Sequence, residues 1–403
     1  MSNINSSADH LTLNADGAGK EIKFQANGVD VAGINATGFT GDGSQLTGAG
    51  ASSLNELSDA TVSTVDPAID TNPSATGVVW INKTSGEVYV CTDITAGANI
   101  WTNVGDGSIA VVPPFYFGST GVFMGGSLGD TIDYVNLSSA ADATDFGNLS
   151  SAVTGGGALS GGWKAIHAGG YGGGTLNIIE YVTISTKSDA IDFGDLTVAR
   201  NNLAACSNGE RGLMSGGVSA DTIDYITVAT PSNATDFGNM VVSHQQHASF
   251  ASTTRGVFAG GNSGGSDTNS IEYVTIATTS NATDFGDIAF ARERVAGCSS
   301  LTRGLIAGGY INYSPYTRYN NIEYVTIATT GNSTDFGDIS TGSLIDFGSC
   351  SDGIKGFFVG GSSTSSGTTI NNIQYVTIAT TGNSTDFGDL TVARQNAASC
   401  SGN

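Results

Sequence analysis

From about Thr120 to its last residue the chain repeats one pattern six times. Each copy has an apolar run ending in Gly-Gly, a loop of variable length, a Tyr-containing strand-like segment and an Asp-Phe-Gly triplet. The doublets begin at Gly125, Gly169, Gly216, Gly260, Gly308 and Gly360, and the triplets at Asp145, Asp192, Asp236, Asp284, Asp335 and Asp386. Successive doublets are 44 to 52 residues apart. A period in this range belongs to propellers and solenoids, where a unit too small to bury its own apolar face is completed by its neighbours. Each copy divides into four short runs, as in LAACS at Leu203–Ser207, the run into Gly216-Gly217, IDYITVAT and the segment at Asp236. Four strands in roughly 45 residues make one propeller blade.

The ends of the array carry a second signal. Ten residues before each doublet stand Phe115, Leu159, Cys206, Phe250, Cys298 and Cys350. A seventh member, Cys400, has no doublet after it. The tail ARQNAASCSGN therefore reads as the opening strand of a blade, and the expectation is that it closes a six-bladed ring by completing the blade of residues 115–149. Phe115-Tyr116-Phe117 competes for that slot, and the Cys400 strand matches its siblings better. The doublets themselves are expected on a second strand near a crowded axis, where side chains do not fit.

The doublet followed by a spaced aromatic pair resembles the kelch motif. The chain keeps the Gly-Gly and the Tyr (Tyr134, Tyr181, Tyr225, Tyr273, Tyr324, Tyr375) but has Phe where kelch has Trp (Phe146, Phe193, Phe237, Phe285, Phe336, Phe387). What this resemblance implies is a fold, not a function.

Before the repeats the texture differs. Residues 1–50 are short alternating segments separated by Asn-Gly and Asp-Gly turns, which read as β-hairpins with too few large apolar residues for a core of their own. INATGFTGDGSQLTG resembles segments of bacteriophage tail-fibre and other virion-fibre proteins, which implies an attachment or trimerisation segment. Residues 51–112 form a small-residue linker and a small β-domain, with a hairpin through Trp80 and Tyr89. Its wording is also similar to modules of phage fibres. Trp80 and Trp101 are expected to be its core, with a sugar-stacking face as the other reading. Pro113-Pro114 then marks a boundary, and residues 113–403 are the array.

A net charge of −22 argues against nucleic acid and anionic membrane as partners. No apolar stretch reaches the ~20 residues that span a bilayer, and the start MSNINSSADHLTLN has neither the basic nor the apolar region of a signal peptide. The expectation is synthesis in a host cytoplasm without membrane insertion.

No arrangement of residues reads as an active site. The six Asp-Phe-Gly triplets lack the nucleotide loop, lysine and catalytic loop of a kinase, and are expected to cap and pack turns. Pairs such as Asp284/Asp287 and Asp386/Asp389 leave room for Ca²⁺, but no loop has the EF-hand order of ligands. No other cofactor is expected. Cysteines alternate with Leu159 and Phe250 in one repeat column and read as small buried hydrophobes. His244 and His247 share a loop without the spacing of a zinc site. Two basic columns, Lys164/Arg211/Arg255/Arg303/Lys355 and Arg200/Arg292/Arg394, are expected to pair between blades with acids such as Glu180, Glu272 and Glu323, weakly if exposed.

Function is expected where the copies disagree. The loop of the fifth copy, YINYSPYTRYNN, holds Tyr310, Tyr313, Tyr316, Arg318 and Tyr319, and the second copy adds Tyr171. Flat amphipathic rings and a guanidinium fork suit recognition of a glycan or a protein pocket; the other reading is tyrosines folded as lids on their own blade. The wording IEYVTIATTSNATDFGD also resembles repeats of marine phage structural proteins. Together these resemblances imply a non-enzymatic phage fibre on the virion, homotrimeric, joined to other virion proteins by its N-terminal segment and presenting a propeller to the host surface. The alternatives are a purely structural decoration or collar protein and a glycan-acting enzyme.

Overall fold

The computed structural model describes residues 22–26, 29–35, 38–41, 60–104, 110–111, 117–127, 129–363 and 368–403. The chain separates into two compact units, Met1–Pro113 and Pro114–Asn403. Residues 1–21, the expected linker, the Pro113-Pro114 boundary and Phe115-Tyr116 lie outside the described residues. Among the described residues every regular element is a strand and none is a helix.

In the first unit Ile22–Ala26, Val29–Asn35 and Gly38–Gly41 form an antiparallel three-stranded meander. A five-stranded sheet follows. Ala60–Ser63 runs parallel to Val79–Asn82, and Val88–Asp93, Ile100–Asn103 and Ala110–Val111 complete it antiparallel. Trp101 is fully buried with Tyr89 and Cys91 and meets Trp80 edge to face at 5.9 Å. The Trp80 indole donates to the Val65 carbonyl at 2.9 Å. These rings are the core of the sheet, as aromatics of 150–250 Å² each are in small domains.

The second unit contains six four-stranded antiparallel sheets among its described residues. The third is representative: Ala204–Ser207, Arg211–Ser215, Thr222–Thr227 and Thr235–Asn239 pair in sequence order, with Cys206 opposite Leu213 and Leu213 opposite Tyr225. The first sheet differs in one respect. Its first strand is the C-terminal Ala398–Gly402, which pairs with Thr120–Met124 and puts Cys400 opposite Val122. The slot for which Phe115–Phe117 competes is thus filled by the C-terminus.

The first strands of successive sheets lie side by side, including that of the sixth beside Ala398–Gly402 and that beside the second sheet's. Serine hydroxyls tie them: Ser249, Ser299 and Ser349 each donate at 2.8 Å to a carbonyl of the preceding first strand. Here the sequence expectation needs correcting. The strand that meets its counterpart in the neighbouring sheets is the first, and the doublet strand is flanked on both sides within its sheet.

The doublets therefore serve another purpose. The first glycine has φ between +60° and +64° in all six copies, a left-handed turn that costs an L side chain 1–2 kcal/mol. The amide of the second glycine donates to a carbonyl beyond the fourth strand, for example Gly217 to His244 at 2.8 Å and Gly361 to Arg394 at 2.8 Å. A Cβ on Gly216 would lie 2.2 Å from that His244 oxygen. The doublet ends the second strand and receives a turn.

The Asp-Phe-Gly triplets are likewise not turns but bulged fourth strands. In the fourth sheet Glu272 faces Asp284 and Ile271 faces Gly286, so one extra residue is inserted. The Phe is buried edge to face against the Tyr of the third strand, at 5.8–6.2 Å in five sheets and 5.9 Å in the sixth. The Asp is exposed rather than capping. The Gly, at φ +144° to +157°, lies where the backbone of the following copy passes: a Cβ on Gly286 would stand 2.5 Å from the Gly331 oxygen.

Candidate functional site

The fifth-copy loop divides in two. Tyr310–Ile311 pairs with Thr317–Arg318 as a small hairpin. At its base Tyr319 stacks on Phe290 at 5.2 Å, with Arg292 5.5 Å from its ring, and Tyr310 lies under Arg294 at 5.2 Å. Burial and the neighbouring Glu293 push the Tyr310 phenol up to about 12. These two tyrosines and the half-buried Arg318 are folded onto the scaffold. At the tip Tyr313 is 56% exposed and Tyr316 73% exposed. The tip is tied to the fourth-copy loop, because the Asn312 amide donates to Asp267 at 2.6 Å.

Tyr171 is 40% exposed and occupies the repeat position of Tyr310, each directly after its doublet. Both are bridged by backbone to the turn of the preceding sheet, Tyr171 to Thr154 and Tyr310 to Glu293. No contact brings Tyr171 to the tip of the fifth-copy loop among the described residues.

The joints between sheets carry more than the inter-blade ion pairs that the sequence leads one to expect. An acid or amide on each third strand (Asp133, Glu180, Asp224, Glu272, Glu323, Gln374) accepts the backbone N–H that follows the preceding sheet's fourth strand. The donors are Thr391, Ser150, Thr197, Val241, Ala289 and Ser340, at 2.7–3.2 Å. Four of these acids are also met by a basic side chain from the preceding copy. Arg394 reaches Asp133 at 2.6 Å, Arg200 Asp224 at 3.0 Å, Arg292 Glu323 at 2.9 Å and His244 Glu272 at 3.1 Å. The expected pairing of Arg292 with Glu323 is present. Glu180 and Glu272 face histidines instead, and all of these pairs are buried rather than exposed.

The other basic column serves the same seams from a different side. Arg211, Arg255 and Arg303 lie 4.3–4.4 Å over the Tyr ring of their own sheet and donate at 2.8–2.9 Å to Ile276, Ile327 and Ile378 carbonyls of the next. Such stacking adds about 1 kcal/mol where partly desolvated. No sequence spacing announces this, since each guanidinium finds a neutral oxygen.

The third joint contains a constellation with catalytic composition. His247 Nε2 lies 2.9 Å from the Ser215 hydroxyl, and His244 stands 5.7 Å from His247 and bonds Glu272. All four are buried. Burial and His244 hold the His247 imidazole well below its ordinary value, so it accepts or donates as a neutral ring. The group fills a seam, and His247 also borders a cavity of about 110 Å³.

All five cysteines are free and buried, and desolvation pushes the Cys206, Cys298 and Cys400 thiols up to about 12. That is the chemistry of packing, not of a nucleophile. Among the described residues no group of three or more His, Cys, Asp or Glu is placed to hold a metal ion. No protein-family model and no curated protein matches the chain.

Proposed function

We propose that the six sheets are the blades of a closed, kelch-like β-propeller and that the chain is a phage virion fibre whose propeller adheres to the host surface. Closure is supported by bonds that run from each sheet to the next and from the sixth back to the first. In every copy an Asn or Asp before the triplet accepts the backbone N–H of a fourth-strand residue in the preceding sheet: Asn233 from Asp195, Asn332 from Asp287, Asn383 from Asp338. The set is completed by Asp142, which accepts from Asp389 at 3.1 Å. The Arg394–Asp133 pair joins the same two sheets.

The single observation that carries the adhesive reading is the exposure of Tyr313 and Tyr316 at the tip of the fifth-copy hairpin. The recurring Gly-Gly, Tyr and Phe positions are buried or half-buried, whereas these two rings lie open above a packed base. Exposed tyrosines on a braced loop offer large contact area at small conformational cost. The virion assignment rests on the wording of the N-terminal segment and of the repeats.

The test compares the full chain with a Tyr313→Ala/Tyr316→Ala variant on an array of bacterial surface glycans and on whole cells of candidate hosts. Binding by the first that falls at least tenfold in the second is the expected result. Equal binding removes the hairpin from the reading. Binding by neither favours the structural alternative, and release of oligosaccharide from envelope polysaccharide favours the enzyme.

A further inference from the structure

The residue just before each first strand is held in the left-handed region: Gly155 at φ +66° and Asn202, Gln246, Arg294, Asp346 and Asn396 at +56° to +59°. Their backbones form a chain of bonds around one circle. Asn202 donates to Gly155 at 2.6 Å, Gln246 to Asn202 at 2.9 Å, Arg294 to Gln246 at 2.8 Å, Asn396 to Asp346 at 2.6 Å and Gly155 to Asn396 at 3.3 Å. The remaining gap is spanned by side chains, with Arg294 Nη1 at 2.6 Å from Asp346 Oδ2. The six residues line one cavity of about 110 Å³.

The backbone circle needs only the left-handed conformation, and glycine supplies it without strain, as Gly155 does. Asn and Asp tolerate it at small cost, but Gln246 and Arg294 do not. Five copies nonetheless carry a polar side chain here. The side-chain amides of Asn202, Gln246 and Asn396 are half-buried and make no hydrogen bond within the described protein. The buried Arg294 Nε also lacks a hydrogen bond, standing 3.7 Å from Glu293. The polar atoms of the three amides reach solvent at the cavity and are open to a ligand. Each amide offers two donors and an acceptor, and Arg294 and Asp346 add a donor fork and an acceptor, mutually neutralised.

We infer that this circle is a binding site for the edge of a sugar residue. A ring of unpaired amides around a charge-neutral cavity matches adjacent hydroxyls, each of which donates and accepts at once. A free anion would face Asp346, and an apolar ligand would leave the amides unpaired. The cavity is too small to enclose an oligosaccharide, so it takes one terminal residue of a chain. The site is independent of the Tyr313/Tyr316 tip. It depends on the propeller reading only in that the circle forms the mouth of the axial channel.

The test is saturation-transfer NMR on the full chain with methyl glycosides of glucose, galactose and mannose, and with inorganic phosphate as the anionic probe. An Asn202→Gly/Asn396→Gly variant removes two amides while keeping the backbone conformation that Gly155 already uses, and Gln246→Gly serves as a second variant. The expected result is transfer to at least one glycoside that weakens at least tenfold in either glycine variant, with a melting temperature no lower than the parent's, and persists in Tyr313→Ala/Tyr316→Ala. The inference is overturned if no glycoside shows transfer, if the glycine variants bind as well as the parent, or if only phosphate responds. Loss in the tyrosine variant alone overturns it while leaving adhesion by the hairpin standing.

Discussion

Two joints between neighbouring sheets occupy the same place in the repeat and are built from different chemistry. The joint of the sixth and first sheets closes on Arg394 and Asp133, both buried, with the guanidinium also donating to the Thr131 carbonyl at 2.8 Å. That of the third and fourth closes on His244 and Glu272, backed by His247 and Ser215. A third version, at the fifth and sixth sheets, has no charge: the Gln374 carbonyl accepts from the Ser340 hydroxyl at 2.8 Å and its amide donates to Thr341. What is common is a buried acceptor on the third strand that must be filled by the preceding copy. Which group fills it varies, so the seams differ in how they respond to mutation and to acid.

The largest effect is expected from breaking an arginine joint on one side. Arg394→Met leaves Asp133 buried and unpaired and costs about 3–5 kcal/mol, read from denaturant unfolding of the full chain. Adding Asp133→Asn is expected to recover most of that loss, because it imitates the neutral Gln374 joint. A double variant as unstable as the single would mean the seam needs charge.

The histidine seams are expected to weaken in acid. Burial pushes His167, whose Nδ1 lies 3.9 Å from Glu180, down to about 4, so the ring is neutral at neutral pH. An imidazole in the unfolded chain takes a proton near 6.5. The unfolded state therefore binds more protons between about pH 6.5 and 4, and stability that is full above that window is lost as pH falls through it, on the order of 3 kcal/mol from this group. His247 acts in the same direction. His167→Gln is expected to flatten the unfolding-versus-pH curve in that window, and an unchanged curve would place the acid response elsewhere.

Two smaller tests address what the joints share. Gly216→Ala and Gly360→Ala each put a methyl within 2.2–2.5 Å of a turn carbonyl, at His244 and Arg394 respectively. Both are expected to cost about 2 kcal/mol, whichever cation the joint uses. Asn281→Ala removes one clasp, the bond from the Asn239 amide at 3.0 Å, and costs about 1 kcal/mol. A clear inequality between the two glycine variants would show that the doublets are tuned to their joints.

The sequence by itself determined the all-β class, the six copies and the four runs in each, because period, glycine doublets and alternating apolar residues are local properties of the chain. It also picked the C-terminal strand over Phe115–Phe117, since that choice rests on matching letters in a column. It misplaced the doublet and the triplet, because a left-handed strand end and a bulge look alike in sequence to an axial strand and a turn. It separated only partly the useful tyrosines from the structural ones: Tyr310 and Tyr319 became lids once Phe290 and Arg294 packed against them. Inter-blade pairing was legible in the basic columns, but the partner at each joint and the left-handed circle were decided by tertiary structure. Their partners come from the next copy, as with Arg200 and Asp224, and their letters (Arg, His, Gln; Gly, Asn, Gln, Arg, Asp) share a position in space rather than a residue type.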